Sequence, residues 1–177
     1  MNGTTPTHLV LVGLMGSGKS TVGRLCATQL GRPFVDTDEL VERMSGQTIA
    51  SLFAAGEPEF RAWEARAVGA AVSEPEPHVI ACGGGAVLDP ANRARLREHG
   101  VVVWLQASPE ALAERVGSGS GRPLLAADGG TDPVVRLREL SESRRNSYDA
   151  AATIVIETDG LTPEDVATAV LRAARIT

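Results

Sequence analysis

The sequence predicts an α/β fold, a three-layer core in which helices flank a parallel sheet. Three observations carry the prediction: five short apolar runs, helix starts marked by proline, and a glycine-rich loop joining the first run to the first helical stretch. Strand-like and helix-like segments alternate, which is the pattern of βα units. The strand runs are nearly continuous in apolar residues, as strands covered on both faces must be.

Taken in order, the first strand is His8–Val12, the glycine-rich loop runs from Gly13 to Ser20, and a helix follows over Thr21–Leu30. Pro33–Asp36 reads as the second strand. Thr48 to Val72 is helical in composition but broken at Gly56–Pro58, so two helices are expected. His78–Cys82, Val101–Gln106 and Thr153–Glu157 complete the strands. Asp89-Pro90, Ser108-Pro109, Asp132-Pro133 and Thr162-Pro163 each set a capping side chain before a proline at the first helical position. Thr162 with Asp165 adds a capping box. Arg122-Pro123-Leu124-Leu125 lies between Gly117–Gly121 and Ala126–Gly130. A loop of this length reads as a lid, about residues 113–126, because too little chain follows for a linker to serve a second domain.

Composition narrows the function. With 177 residues, 43% hydrophobic and 22% charged, the chain reads as one ordered domain spanning 1–177. A net charge of −5 argues against nucleic-acid or acidic-membrane partners. There is no apolar run of the roughly 20 residues that span a bilayer, and Met1 to His8 does not read as a signal peptide. The expectation is a cytoplasmic monomer with Cys26 and Cys82 reduced and buried. His8, His78 and His99 show no metal-ligand spacing and receive no role. Of 17 basic residues, Lys19 is the one lysine; arginine fills every other basic position.

That lysine lies in Gly13-Leu14-Met15-Gly16-Ser17-Gly18-Lys19-Ser20, the G-x-x-x-x-G-K-[ST] pattern between a strand and a helix. The glycines let backbone N–H groups converge on a phosphate, and the helix N-terminus adds its dipole. Lys19 would reach the β- and γ-phosphates of a nucleotide and Ser20 would ligate Mg²⁺. Asp36-Thr37-Asp38 follows the second strand. Read alone it is either a helix N-cap with a neighbouring acid or a functional pair. In the second reading Asp36 supports Mg²⁺, and Asp38 binds an acceptor hydroxyl and takes its proton. Arg61 and Glu64 share a helix face, where the commonest meaning is a surface ion pair. Cys82-Gly83-Gly84-Gly85 ends the third strand where open α/β sheets bind ligands, and the glycines would allow a substrate close to the backbone.

These motifs, with Arg122-Pro123-Leu124-Leu125 and an arginine shortly before Tyr148, occur in an order and spacing that resembles shikimate kinase. The resemblance runs from about residue 8 to 150. It implies an adenylate-kinase-like core with five parallel strands ordered 2-3-1-4-5 and a mobile lid. It also implies transfer of the ATP γ-phosphate to the 3-hydroxyl of shikimate, in aromatic amino-acid biosynthesis. By the same resemblance Lys19, Asp38 and Arg122 are catalytic, and Gly16, Ser17, Gly18, Lys19, Ser20, Thr21, Arg115 and Arg122 bind ATP, with Arg115 stacked on adenine. Asp38, Arg61, Gly83, Gly84, Gly85, Arg144, Phe53, Phe60 and Glu64 form the shikimate site, carried by a helical segment over about 37–72. Ser20 and Asp36 are the metal residues. Ile49, Pro123 and Leu124 belong to the pocket wall. Three positions depart from the family pattern: Arg145 rivals Arg144 as the carboxylate arginine, Leu161 stands where many members place a basic residue near adenine, and Cys82 before the glycines is a mild variation that packs in the core.

Overall fold

The computed structural model describes residues 7–117 and 132–176. Its five strands are β1 His8–Val12, β2 Phe34–Asp36, β3 Val79–Ala81, β4 Gly100–Gln106 and β5 Ile154–Glu157. All pairings are parallel, and the order across the sheet is β2-β3-β1-β4-β5. Among the described residues the helices are α1 Lys19–Leu30, α2 Thr37–Ser45, α3 Ile49–Ala55, α4 Glu57–Val72, α5 Pro90–His99, α6 Pro109–Val116, α7 Pro133–Ala151 and α8 Pro163–Ala174.

The apolar strand runs have the reason expected of them. Leu9 and Leu11 of β1 pack with Val22 and Cys26 of α1 and Val166 and Val170 of α8. Val10 and Val12 point the other way, into a cluster with Val68 and Val72 of α4, Leu96 of α5 and Leu137 of α7. Period-two alternation thus feeds two cores, one on each face of the sheet. A third, smaller cluster joins Val41 of α2, Leu52 of α3 and Phe60 and Ala67 of α4. Both cysteines are free and buried.

The proline-marked starts all hold. Asp89, Ser108, Asp132 and Thr162 each accept a backbone N–H of the helix they precede, and Thr162 and Asp165 form the reciprocal box. The break at Gly56 separates α3 from α4. Strand ends move by about one residue. Pro33 has no N–H to give, and the His78 N–H donates to His8 Nδ1 at 2.9 Å instead of extending β3. His8 is fully buried, and its Nε2 lies 3.3 Å from the Val72 carbonyl, so this imidazole ties the end of α4 to the start of β3. No helix among the described residues is long and apolar enough to cross a membrane.

Candidate active site

One cleft of about 960 Å³ opens at the carboxyl ends of the strands. Its floor is the glycine-rich loop, where Gly16 and Gly18 take φ values of 81° and 91° that other residues rarely adopt. Lys19 Nζ donates to the Leu14 carbonyl at 2.9 Å, so the ammonium is folded back over the loop. α1 starts with no side-chain cap and no acid in its first turn, which leaves its N-terminal amides and dipole to an anion. Ser20 Oγ donates to Asp36 Oδ2 at 2.6 Å.

Asp36 does two things at once. Its Oδ1 accepts the Asp38 N–H at 3.0 Å and so caps α2, while Oδ2 holds Ser20. Both readings of Asp36-Thr37-Asp38 are therefore compatible in one geometry. Thr37 between them is fully buried, and its Oγ1 accepts the Gly83 N–H at 2.9 Å. This bond fixes the strand-β3 loop against the start of α2.

The glycine triplet has a reason the sequence did not suggest. None of Gly83, Gly84 and Gly85 is among the positive-φ glycines. Side chains of the protein itself occupy the space above two of them. A Cβ on Gly83 would collide with Asp38 Oδ1 and come within 3.1 Å of Glu64 Oε1, and one on Gly85 would collide with the Arg61 guanidinium. Only over Gly84 is there room, with the nearest atom 3.5 Å from an added Cβ. The Gly84 carbonyl accepts from Tyr148 Oη at 2.6 Å and from Arg144 Nη1 at 3.1 Å.

Arg61 is gripped from both sides. Nη1 donates to Glu64 Oε2 at 2.7 Å, and Nε and Nη2 reach Glu57 Oε1 at 3.2 and 2.9 Å. The pair is no surface ion pair, because the Glu64 side chain is 3% exposed. Burial, with Asp38 adding to it, pushes the Glu64 carboxyl up to about 7, against the pull of Arg61 and Arg144. Burial also raises the Tyr148 phenol, which keeps its donating proton. Phe53 and Phe60 stack at 4.3 Å to wall the acceptor end. At the far end Arg115 donates to Thr158 Oγ1 at 2.9 Å and to the Thr158 carbonyl at 2.7 Å, with Leu161 and Pro163 also lining the cleft.

The model of the family described as shikimate kinase matches residues 15–175. The chain belongs to the shikimate kinase family. A shikimate kinase of Symbiobacterium thermophilum is 53% identical over 163 residues, covering 90% of this chain and 91% of the relative. One from Caulobacter vibrioides is 48% identical over 169 residues, covering 94% of this chain and 82% of the relative. A solved shikimate kinase from Acinetobacter baumannii in complex with shikimate superposes with a TM-score of 0.88 at 37% identity, covering 96% of this chain and 93% of that one. The five-stranded parallel order and the three layers are those of the family's P-loop kinase fold.

Most family positions named from the sequence lie on this cleft. Gly16, Ser17, Gly18, Lys19, Ser20, Thr21, Asp36, Asp38, Ile49, Phe53, Phe60, Arg61, Glu64, Gly84, Gly85, Arg115 and Arg144 all line it. Gly83 sits just behind, under Asp38 and Glu64. Arg122, Pro123, Leu124 and most of the expected lid lie outside the described residues. Arg144 is 6% exposed and faces the cleft, whereas Arg145 is exposed on α7. Sequence reasoning missed Thr37, Thr158 and the Tyr148 hydroxyl as supports. Tyr148 could have been found, since it lies one helical turn after Arg144 and shares its face.

Proposed function

We infer that this chain phosphorylates the 3-hydroxyl of shikimate with ATP, giving shikimate 3-phosphate and ADP. The observation that carries the reading is one cleft with Lys19 and Ser20 at one end and Asp38, Arg61 and Arg144 at the other. Forked guanidinium groups suit a carboxylate, and a compact ammonium suits phosphate oxygens. Asp38 would orient the 3-hydroxyl and take its proton, while Arg61 and Arg144 hold the acid group. Transfer would be direct and in line, with positioning and charge stabilisation supplying most of the acceleration. Arg122 keeps the role implied by the resemblance, a cation reaching the transferring phosphate. Arg115 would pack on adenine, braced by Thr158.

The Ser20–Asp36 pair offers a hydroxyl and a carboxylate, hard oxygen donors that fit Mg²⁺. Among the described residues no group of three or more His, Cys, Asp or Glu could hold a metal. That suits an ion that takes its other ligands from phosphates and water. Ser20, supported by Asp36, would hold Mg²⁺, whose charge offsets that of the β- and γ-phosphates. A cytoplasmic monomer completes the reading.

An ADP-release assay with ATP, Mg²⁺ and a panel of acceptors tests it. Release should depend on shikimate. Turnover of gluconate or AMP with none of shikimate would overturn the substrate and leave the fold.

A further inference from the structure

The Glu64 carboxyl is the most conspicuous charge in the cleft without a complete set of partners. Its side chain is 3% exposed, and Oε2 is bonded to Arg61. Oε1 is buried and meets no hydrogen-bond partner among the described residues. A buried carboxylate oxygen left unpartnered is costly as an anion and far less so once protonated, when its hydrogen needs only one acceptor. Oε1 also borders the space above Gly83 that Asp38 Oδ1 occupies. Two carboxyl groups share one small volume, and the Asp38 charge disfavours a second charge on Glu64.

The surrounding charges can be named. On α4, Arg61 bonds Glu64 and is itself shared with Glu57. Asp38 approaches from α2, Arg144 and Tyr148 from α7, and Cys82 from the end of β3, with Lys19 beyond it. α3 carries no titratable side chain, and Arg93 of α5 is turned to the Val87 and Leu88 carbonyls. Among the described residues the nearest cations to Glu64 are therefore Arg61 and Arg144, the two arginines read above as the grip on the substrate carboxylate. An arriving carboxylate draws on both and adds a third acid to the Asp38–Glu64 pair. A buried excess of negative charge is relieved by neutralising one acid.

We propose that Glu64 takes up a proton from solvent, on Oε1, as the carboxylate of shikimate binds beside Arg61 and Arg144. The inference rests on the shikimate reading and goes beyond it, because it makes substrate binding a proton-coupled step. The Oε1 hydrogen can then point to Asp38, so the pair keeps one charge available to the 3-hydroxyl. The direction follows from linkage. The free carboxyl lies at about 7, so at pH 8 it is mostly ionised. Binding that favours its protonated form must then consume protons, and affinity must fall as pH rises, by at most about tenfold per pH unit.

Titration calorimetry of shikimate into the protein at pH 8, in buffers of different ionisation enthalpy, reads the proton count directly. The expected result is uptake of a substantial fraction of one proton per shikimate bound. Glu64→Gln should abolish that uptake and flatten the pH dependence of the dissociation constant. The methyl ester of shikimate, which brings no charge, should bind without uptake to the wild type. Should Glu64→Gln fail to fold, infrared difference spectra of the wild type serve instead: shikimate should bring up the C=O stretch of a protonated carboxyl. Shikimate binding with no uptake, or with uptake unchanged in Glu64→Gln, overturns the inference and leaves the substrate reading standing. No shikimate binding at all overturns the reading, and the inference with it.

Discussion

Replacing Gly85 with alanine isolates what the third glycine does. Its φ of −100° and ψ of −5° suit alanine, so the backbone contributes no strain. The added methyl would instead lie 2.7 Å from Arg61 Cζ and Nη2 and overlap Nη1. Ordinary carbon contacts begin near ~3.5 Å, so the guanidinium must retreat by roughly 1 Å. That retreat stretches the 2.7 Å bond to Glu64, whose carboxyl is too buried to find water in exchange. A hydrogen bond between charged groups contributes about 1.5–3 kcal/mol. If the loss falls on the Arg61 grip, the KM for shikimate rises about 10- to 150-fold. kcat should change little, because Lys19, Ser20 and Asp38 are untouched. Steady-state kinetics at saturating ATP give both constants, and circular dichroism checks the fold. The decisive control is the double-mutant cycle with Arg61→Ala. With the guanidinium gone the methyl has nothing to displace, so Gly85→Ala should add almost nothing in that background. An equal KM penalty with and without Arg61 would refute the reasoning.

Three further outcomes are expected. Tyr148→Phe removes the 2.6 Å donor to the Gly84 carbonyl but leaves Arg144 on it, so stability should fall by about 1 kcal/mol, seen as a Tm loss of about 2–4 °C. Gly69→Ala lies within α4, with nothing within 4 Å of an added Cβ, and should raise stability by about 0.5–1 kcal/mol; an unchanged or lower Tm would contradict it. Acid stability should show two opposed titrations. His8 is held below its ordinary range, chiefly by burial, so the unfolded chain binds the extra proton and stability falls as pH drops below about 6.5. Glu64 is raised to about 7, so the folded protein binds the extra proton and stability rises as pH drops below that value. Tm measured from pH 8 to pH 5 should therefore fall more steeply in Glu64→Gln than in the wild type, and parallel curves would sink the assignment.

Much of this molecule could be read from its residues, because local chemistry dictated the answer. Aspartate, serine or threonine before proline favours a helix start, and Asp89, Ser108, Asp132 and Thr162 each make one. The loop around Lys19 and the strand runs were legible for the same reason: pattern and period coincide. What escaped depends on distance in the chain. Arg61 and Gly85 are 24 positions apart, and that one occupies the space above the other follows only from how α4 leans on the β3 loop. The same holds for Thr37 under Gly83 and Thr158 under Arg115, where an unremarkable threonine gains its importance from a neighbour the sequence does not name. Glu64 was visible as a partner of Arg61. Its near-complete burial was not, because a charge three residues from an arginine ordinarily faces water.

The separate cluster of Val41, Leu52, Phe60 and Ala67 has a consequence for motion. α4 contributes Phe60 and Ala67 to that small group, and Val68, Ala71 and Val72 to the large core on the sheet. Its first half thus belongs to a patch with few apolar contacts, its second half to the rigid centre. Regions so divided open as separate cooperative units. Amide exchange should then be slow in β1 and fast across α2, α3 and the first turns of α4, with a boundary near Ala67. The acceptor would meet a part of the protein that breathes on its own while β1 stays closed to exchange. Shikimate should slow exchange chiefly on the near side of that boundary.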